Sequence, residues 1–140
     1  FPNLYGPNQT SKQLIPTISE KIKEGFSEIE LGSLSGSRNY LYISDAVDAL
    51  LKLVDYDEIE SDICFSGESC NISDILDTFK LICEEQFGFC PQFITKSSLP
   101  KRSSYKAPPL TLDDSFFREK YNWSPKVSMD QGLLLTLEEL

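Results

Sequence analysis

The sequence contains no histidine, so the first side chains to consider for chemistry are its carboxylates and its four cysteines. Without histidine, Ser-His and Cys-His catalysis and histidine-ligated metal sites are excluded. Asp45, Asp74 and Asp113 each stand where a helix is predicted to begin, and we interpret them as helix caps. No Tyr is followed by Lys four positions later, and neither a Gly-rich nucleotide loop nor a Walker A motif is present. The residues alone therefore predict no catalytic site.

The cysteines are Cys64, Cys70, Cys83 and Cys90, and an even count allows three pairings in a secreted protein. No two of them have the C-x-x-C spacing of a zinc or redox motif, so we expect no metal site. Cys83 falls among the apolar positions of a predicted helix, where a free thiol behaves as a small hydrophobic side chain. We therefore favour reduced cysteines in a cytoplasmic protein over a secreted disulfide framework.

The composition is that of a folded domain. The chain has 140 residues, of which 40% are hydrophobic and 25% charged, and its formal net charge is −9. This charge repels phosphate backbones, so we expect no nucleic-acid partner. No apolar run approaches the ~20 residues of a membrane span. The sequence begins Phe1-Pro2-Asn3 and its only methionine is Met129, which we interpret as an excised piece of a longer protein. We predict a single domain over residues 1–140.

Apolar residues at helical spacing predict a series of helices. The first runs from about Pro16 to Gly25. The second follows Ser44 or Asp45, and the stripe expected to face the core is Ala46, Val47, Leu50, Leu51 and Val54. The third opens after Asn71 and ends at Gly88, and its core stripe is Ile72, Ile75, Leu76, Phe79, Ile82 and Cys83.

Two shorter helices are predicted near the end of the chain. One is capped by Asp113 or Asp114, and the other begins at the capping box formed by Ser128 and Gln131. Short runs of β-branched and aromatic residues predict strands at 29–31, 39–43, 63–65 and 93–94. Residues 96–109 are rich in Ser, Lys and Pro and are expected to form a loop. The elements together predict an α+β fold in which helices dominate over a few short strands.

The order of several short motifs is more informative than any one of them. In chain order they are Asn3-Leu4-Tyr5-Gly6-Pro7, Gln13-Leu14-Ile15-Pro16, Leu31-Gly32, the run from Arg38 to Ala46, Ser66-Gly67-Glu68, and the run from Tyr121 to Lys126. This succession resembles the C-terminal half of the extended short-chain dehydrogenase/reductase family, which includes NAD-dependent nucleotide-sugar epimerases and dehydratases. In that family an N-terminal Rossmann half carries the NAD(P) loop and a Tyr-x-x-x-Lys pair. The resemblance therefore implies a substrate-binding fragment of an α/β fold whose Rossmann half is missing.

The resemblance also implies residue roles. Asn3 would lie near the diphosphate or the sugar of a nucleotide-diphosphate sugar, Gln13 and Leu14 would face its base, and Arg38 would hold its diphosphate. A guanidinium presents the fork of donors that bidentate phosphate recognition requires. The turn Tyr5-Gly6-Pro7 would lie beside the nicotinamide of NAD or NADP. No catalytic residue and no metal ligand is implied in this chain.

The sequence departs from the family pattern at three places. An acidic residue usually follows the arginine, whereas Asn39 stands here, and Cys64 replaces an Asn that many members have. Many members also carry a second arginine as a phosphate grip, where this chain has Pro108 and Pro109. Lys101, Arg102 or Lys106 is a candidate substitute from the neighbouring loop.

These observations predict the substrate-binding portion of an NAD(P)-dependent nucleotide-sugar epimerase, dehydratase or reductase of surface polysaccharide precursor synthesis. The resemblance allows a homodimer of the complete enzyme. Without the Rossmann half, this chain is expected neither to bind NAD nor to turn over substrate. The alternatives are a non-catalytic interaction module derived from the same domain and, more remotely, a secreted disulfide domain.

Overall fold

The computed structural model describes residues 2–10, 12–32, 34, 36–56, 63–96 and 112–138. The elements in this part of the chain are, in order, β1 (Asn3–Tyr5), α1 (Leu14–Lys23), β2 (Glu28–Leu31), β3 (Ser37–Tyr42), α2 (Ile43–Val54), β4 (Glu68–Asn71), α3 (Ile72–Phe87), β5 (Gln92–Thr95), α4 (Ser115–Tyr121) and α5 (Met129–Glu138). The prediction of a helix-rich α+β fold with short strands is confirmed. The loop predicted over residues 96–109 lies outside the described residues, apart from Lys96.

The strands form two small sheets. In the first, β1 pairs parallel with β3, and β3 pairs antiparallel with β4; in the second, β2 pairs parallel with β5. The register sets Asn3 opposite Tyr40. Because Arg38 precedes Tyr40 by two residues on β3, all three side chains belong to one face of the first sheet. The sheet thus brings together residues that are far apart along the chain.

The main core lies between the sheets and α1, α3 and α5. All six residues of the predicted α3 stripe are buried in it, so that prediction is confirmed. Gly88 ends α3 in the left-handed conformation at φ 71°, as the sequence indicates. Tyr5 of β1 is buried between the rings of Tyr40 and Tyr42, whose centroids lie 6.2 and 5.5 Å away.

A second, aromatic cluster connects α2 and α4. The ring centroid of Phe117 lies 5.3 Å from that of Phe65 and 5.4 Å from that of Trp123. Burying these large rings fixes α4 against the segment that precedes β4. Trp123 is buried in this cluster.

The predicted core stripe of α2 is wrong for its large residues. Ala46 and the unpredicted Ala49 are buried, but Val47, Leu50, Leu51 and Val54 are 47%, 52%, 60% and 76% exposed. Small alanines allow α2 to lie close to β1 and β3, and this contact turns the bulkier side chains outward. An apolar face thus remains uncovered by any described part of the chain.

Three further local predictions need correction. Residues 63–65 form no strand with any described residue, whereas the strand β4 was not predicted. Neither Ser44 nor Asp45 caps α2, because the helix begins at Ile43. The buried Asp45 carboxylate instead accepts hydrogen bonds from the backbone N–H groups of Lys126 and Val127, at 3.0 and 2.9 Å.

Asp74 does not cap α3, because Asn71 is the N-cap residue and the Asp74 carboxylate accepts hydrogen bonds from the side chains of Asn71 and Ser73. The start signals predicted for α4 and α5 agree with the structure. Asp113 accepts hydrogen bonds from the backbone N–H and the hydroxyl of Ser115 at the start of α4. The backbone N–H of Gln131 donates to the Ser128 hydroxyl at 3.4 Å at the start of α5. All four cysteines are free thiols. Within the described ranges, no helix has the length and apolarity that crossing a membrane requires.

Candidate functional site

A cleft of about 360 Å³ lies where α1, the end of β2 and the first sheet meet. The four residues predicted to bind substrate all line it: Asn3, Gln13, Leu14 and Arg38. Asn3 reaches it from β1, Arg38 from β3, and the other two from the beginning of α1. The structure thus brings together an amide and a guanidinium that are 35 positions apart in the sequence. Leu31 and Ile72 contribute apolar surface to the same cleft.

Asn3 is fixed in the cleft by a hydrogen bond. Its Nδ2 donates to the backbone oxygen of Asn39 at 3.1 Å. An Asn side chain has a second N–H and an acceptor oxygen, so this bond leaves groups that can contact a ligand. A half-buried and already oriented amide loses little entropy when it binds.

Arg38 is exposed on β3, and one hydrogen bond orients its guanidinium. Its Nη1 donates to the backbone oxygen of Ser37 at 2.8 Å. No carboxylate in the described part of the chain forms an ion pair with this guanidinium. Its remaining N–H donors are therefore suited to a phosphate that enters the cleft.

Asn39, which replaces the usual acidic residue, supports the strand that carries Arg38. Its Nδ2 donates to the backbone oxygen of Gly67 at 3.1 Å, and its Oδ1 accepts from the backbone N–H of Gly67 at 3.0 Å. A carboxylate could accept but not donate, whereas an amide does both. This buried pair of bonds holds β3 against the residues before β4.

Sequence reasoning missed other residues of the cleft: Lys12, Thr17, Glu30 and Tyr40. Tyr40 was predicted only as part of a strand, and its ring is buried. Burial raises the pKa of Tyr40 above its ordinary value, although the nearby Arg38 cation opposes the shift. The phenol is therefore neutral at physiological pH and offers packing and a hydrogen bond. Thr17 and Glu30 lie on a predicted helix and a predicted strand, but no sequence motif indicated that they would line the cleft.

The turn predicted to lie beside the cofactor is outside this cleft. The Tyr5 ring is buried, and a Cβ added at Gly132 of α5 would overlap its hydroxyl. Burial also raises the pKa of Tyr5 far above its ordinary value. At Gly6 an added Cβ would lie 2.6 Å from the Ile43 side chain, which explains why glycine is required there. Only backbone atoms of Tyr5 and Gly6, together with the half-buried Pro7, remain for a cofactor contact, so the prediction stays untested.

A larger groove of about 540 Å³ lies at the far ends of α1, α3 and α5. Its walls include Ile22, Phe87, Phe89 and Leu134. Lys23, Gln86 and Glu138 also line it, and the charges of Lys23 and Glu138 cancel. The described lining therefore carries no net charge and is mainly apolar. Among the described residues no cluster of acidic or cysteine side chains could hold a metal ion.

Comparison with known proteins places these features in a family pattern. The model of the NAD dependent epimerase/dehydratase family matches residues 1–72, which contain the whole of β1 through α2 and the start of α3. Asn3, Gln13, Leu14 and Arg38 all lie within the matched region.

Two relatives match almost the entire chain. The dTDP-4-dehydro-6-deoxyglucose reductase of Escherichia coli is 29% identical over 137 residues, covering 94% of this chain and 40% of the relative. The GDP-L-fucose synthase 1 of Arabidopsis thaliana is 28% identical over 146 residues, covering 97% of this chain and 42% of the relative. The chain thus spans about two fifths of the length of these relatives.

A solved structure has the same fold over nearly all of the chain. It is the UDP-glucuronic acid 4-epimerase from Bacillus cereus in complex with UDP-glucuronic acid and NAD, with a TM-score of 0.76 and 22% sequence identity. The match covers 98% of this chain and 42% of the epimerase.

Proposed function

The chain belongs to the NAD dependent epimerase/dehydratase family, and from this premise we propose that it is the substrate-binding part of an NAD(P)-dependent nucleotide-sugar epimerase, dehydratase or reductase. One observation carries the proposal: Asn3, Gln13, Leu14 and Arg38 line a single cleft. The names of the relatives support it, since they are a dTDP-sugar reductase and a GDP-sugar synthase. The B. cereus epimerase was solved with a UDP-sugar.

The chemistry of the cleft suits a nucleotide-diphosphate sugar. The Arg38 guanidinium, which forms no ion pair with a described residue, would bind the diphosphate through its remaining N–H groups. The Asn3 amide in the same cleft would contact the diphosphate or the sugar. Gln13 and Leu14 offer a polar and an apolar surface to the base. In a chain with a net charge of −9, such a local cation is what an anionic ligand requires.

Hydride transfer would be supplied by NAD or NADP, which accepts or donates the hydride at its nicotinamide ring. This chain contains no Gly-rich nucleotide loop, and the turn of Tyr5, Gly6 and Pro7 could touch only one end of the cofactor. The role of this chain is therefore to bind and orient the sugar nucleotide. We expect the 140-residue chain alone to reduce no NAD.

The cellular role proposed here is the synthesis of sugar precursors for surface polysaccharides in the cytoplasm. Nucleotide-sugar reductases and epimerases supply activated sugars for such polymers. The choice of sugar depends on the residues that bind the substrate, and the choice among epimerisation, dehydration and reduction depends on the catalytic residues of the complete enzyme.

The proposal is tested by isothermal titration of the chain with UDP-, GDP- and dTDP-sugars. We expect saturable binding of at least one of them, and Arg38→Gln should weaken it about tenfold or more, because a charge-assisted hydrogen bond to phosphate is lost. Lys23→Gln is the control, since Lys23 is an exposed cation of α1 outside the cleft. Equal affinities of the unmodified chain and Arg38→Gln would favour the non-catalytic interaction module.

A further inference from the structure

The cleft contains a second cation that no sequence motif marked. Lys12 lies directly before α1 and lines the same cleft as Arg38. No ion pair joins Lys12 to a carboxylate in the described ranges of the chain. Two cations from different elements, β3 and the approach to α1, thus face one volume of about 360 Å³.

The charge balance of the cleft makes this second cation useful. A nucleoside diphosphate brings at least two negative charges, and Arg38 neutralises one. Among the described residues, the charged groups that line the cleft are Lys12, Arg38 and Glu30, which together carry a net charge of +1 in a chain of −9. Without Lys12 the cleft would be neutral, and a diphosphate would gain little from entering it.

The start of α1 adds to the positive potential beside Lys12. The first turn of the helix contains no acidic residue. The unsatisfied N–H groups at a helix N-terminus carry a partial positive charge, which favours a nearby anion. Lys12 lies two residues before the start of α1 in the chain, so its charge adds to the positive potential at that end of the helix.

We propose that Lys12 is a second phosphate-binding residue, which grips the diphosphate opposite Arg38. It occupies the role that the sequence leaves open at Pro108 and Pro109, where a second cation was expected. This inference rests on the proposed function, because it assigns a further residue to the same site. A flexible lysine acts as a point charge, so it complements the directional fork of Arg38.

The test is a titration of the 140-residue chain with UDP and with GDP, followed by NMR, for the unmodified chain and for Lys12→Gln. We expect Lys12→Gln to weaken binding of the diphosphate about threefold to tenfold. The same substitution should weaken the binding of UMP and GMP less, because these nucleotides carry only one phosphate. The matched control is Lys23→Gln, which removes an equal charge from the other end of α1; its affinity should stay within about twofold of the unmodified chain.

The results separate this inference from the proposed function. One outcome is that the unmodified chain binds the diphosphates, Arg38→Gln weakens this binding and Lys12→Gln leaves it unchanged. In that case the role of Lys12 is overturned and the proposed function stands. If Lys12→Gln and Lys23→Gln weaken binding equally, Lys12 contributes only to the general field and its specific role is likewise overturned. If the unmodified chain binds neither UDP nor GDP, both proposals fail together.

Discussion

The most informative single residue is Asn39, because its chemistry differs from what the family pattern suggests. From the sequence, an amide after the arginine looks like a lost functional group. In the structure it bonds both the N–H and the carbonyl of Gly67, which an acidic side chain could not do. The departure therefore has a structural reason, and it holds Arg38 in place without touching the cleft itself.

Gly67 gives the first prediction at the residue scale. A Cβ at this position would overlap the backbone oxygen of Tyr40, and backbone cannot move aside without breaking the sheet. We expect Gly67→Ala to lower the free energy of unfolding by ~1–3 kcal/mol or more. Urea denaturation followed by circular dichroism measures this change.

Gly88→Ala is the control for this prediction. Gly88 has open space around it, and its only penalty is the left-handed backbone at φ 71°. We expect a loss of only ~1 kcal/mol there. A Gly67→Ala variant as stable as the unmodified chain would mean that β3 and the Gly67 segment are farther apart than described.

Asp114 gives a prediction about pH. Its carboxylate is buried and accepts hydrogen bonds from the Ser66 N–H, the Ser66 hydroxyl and Arg118 Nε, at 3.0, 2.7 and 2.9 Å. Burial acts to raise its pKa, but the bonds from Arg118 and Ser66 outweigh it, and the pKa is lowered. The charged form is therefore favoured in the folded state, and this stabilisation is complete above about pH 4, the pKa of an unfolded Asp.

As the pH falls below 4, Asp114 is protonated and its contribution to stability is lost. Asp114→Asn should therefore lower stability at pH 7 by ~1–3 kcal/mol and reduce the loss of stability that the unmodified chain suffers below about pH 4. Thermal unfolding across this pH range measures both effects. Asp77→Asn, at a position whose side chain is 72% exposed, is the control. An unchanged acid profile in Asp114→Asn would contradict the prediction.

At the scale of elements, α2 and α3 explain where sequence patterns succeed and where they fail. The α3 helix has one main apolar side, so the spacing of its apolar residues alone identifies the buried face. The α2 helix has two apolar sides, one of small alanines and one of large aliphatic residues. Spacing cannot choose between them, because only the neighbouring sheet decides which side fits. The unpredicted β4 fails for a related reason, since its residues show no apolar alternation.

The exposed side of α2 predicts how this element responds to substitution. Leu51 is 60% exposed, so Leu51→Ser should change the free energy of unfolding by less than ~1 kcal/mol. It should also reduce self-association of the chain at high concentration, because an apolar patch is removed. Sedimentation velocity and urea denaturation test the two effects.

The matched substitution on a buried position is Leu133→Ala in α5, where the side chain is fully buried. We expect this substitution to lower the free energy of unfolding by ~2–5 kcal/mol, since it leaves a cavity in the main core. Similar losses for Leu51→Ser and Leu133→Ala would mean that the large side of α2 is covered in this chain.

At the scale of the whole molecule, the helix-rich fold and four residues that line the cleft were predictable, whereas the charge pattern of the cleft was not. The order of the motifs along the chain identifies Asn3 and Arg38 as candidates, and the pairing of β1 with β3 brings the two residues together. Lys12 and Glu30 carry no local signal, because a lone charged residue at the surface is usually just solvated. They line the cleft because α1 and β2 border it, and the sequence alone does not show this arrangement.

The whole chain also spans only about two fifths of the length of its relatives. In the proposed function, the complete enzyme supplies the hydride chemistry and this chain binds the substrate.

The central claim is that Asn3 and Arg38 form one binding site for a nucleotide-diphosphate sugar. The most direct measurement is an amide chemical-shift map of the ¹⁵N-labelled chain during titration with a UDP- or GDP-sugar. The account predicts saturable shifts confined to the residues around the cleft, at Asn3, Gln13, Leu14, Gly32 and Arg38. Shifts confined to the apolar groove of Ile22, Phe87 and Leu134, or no saturable shifts at all, would contradict it.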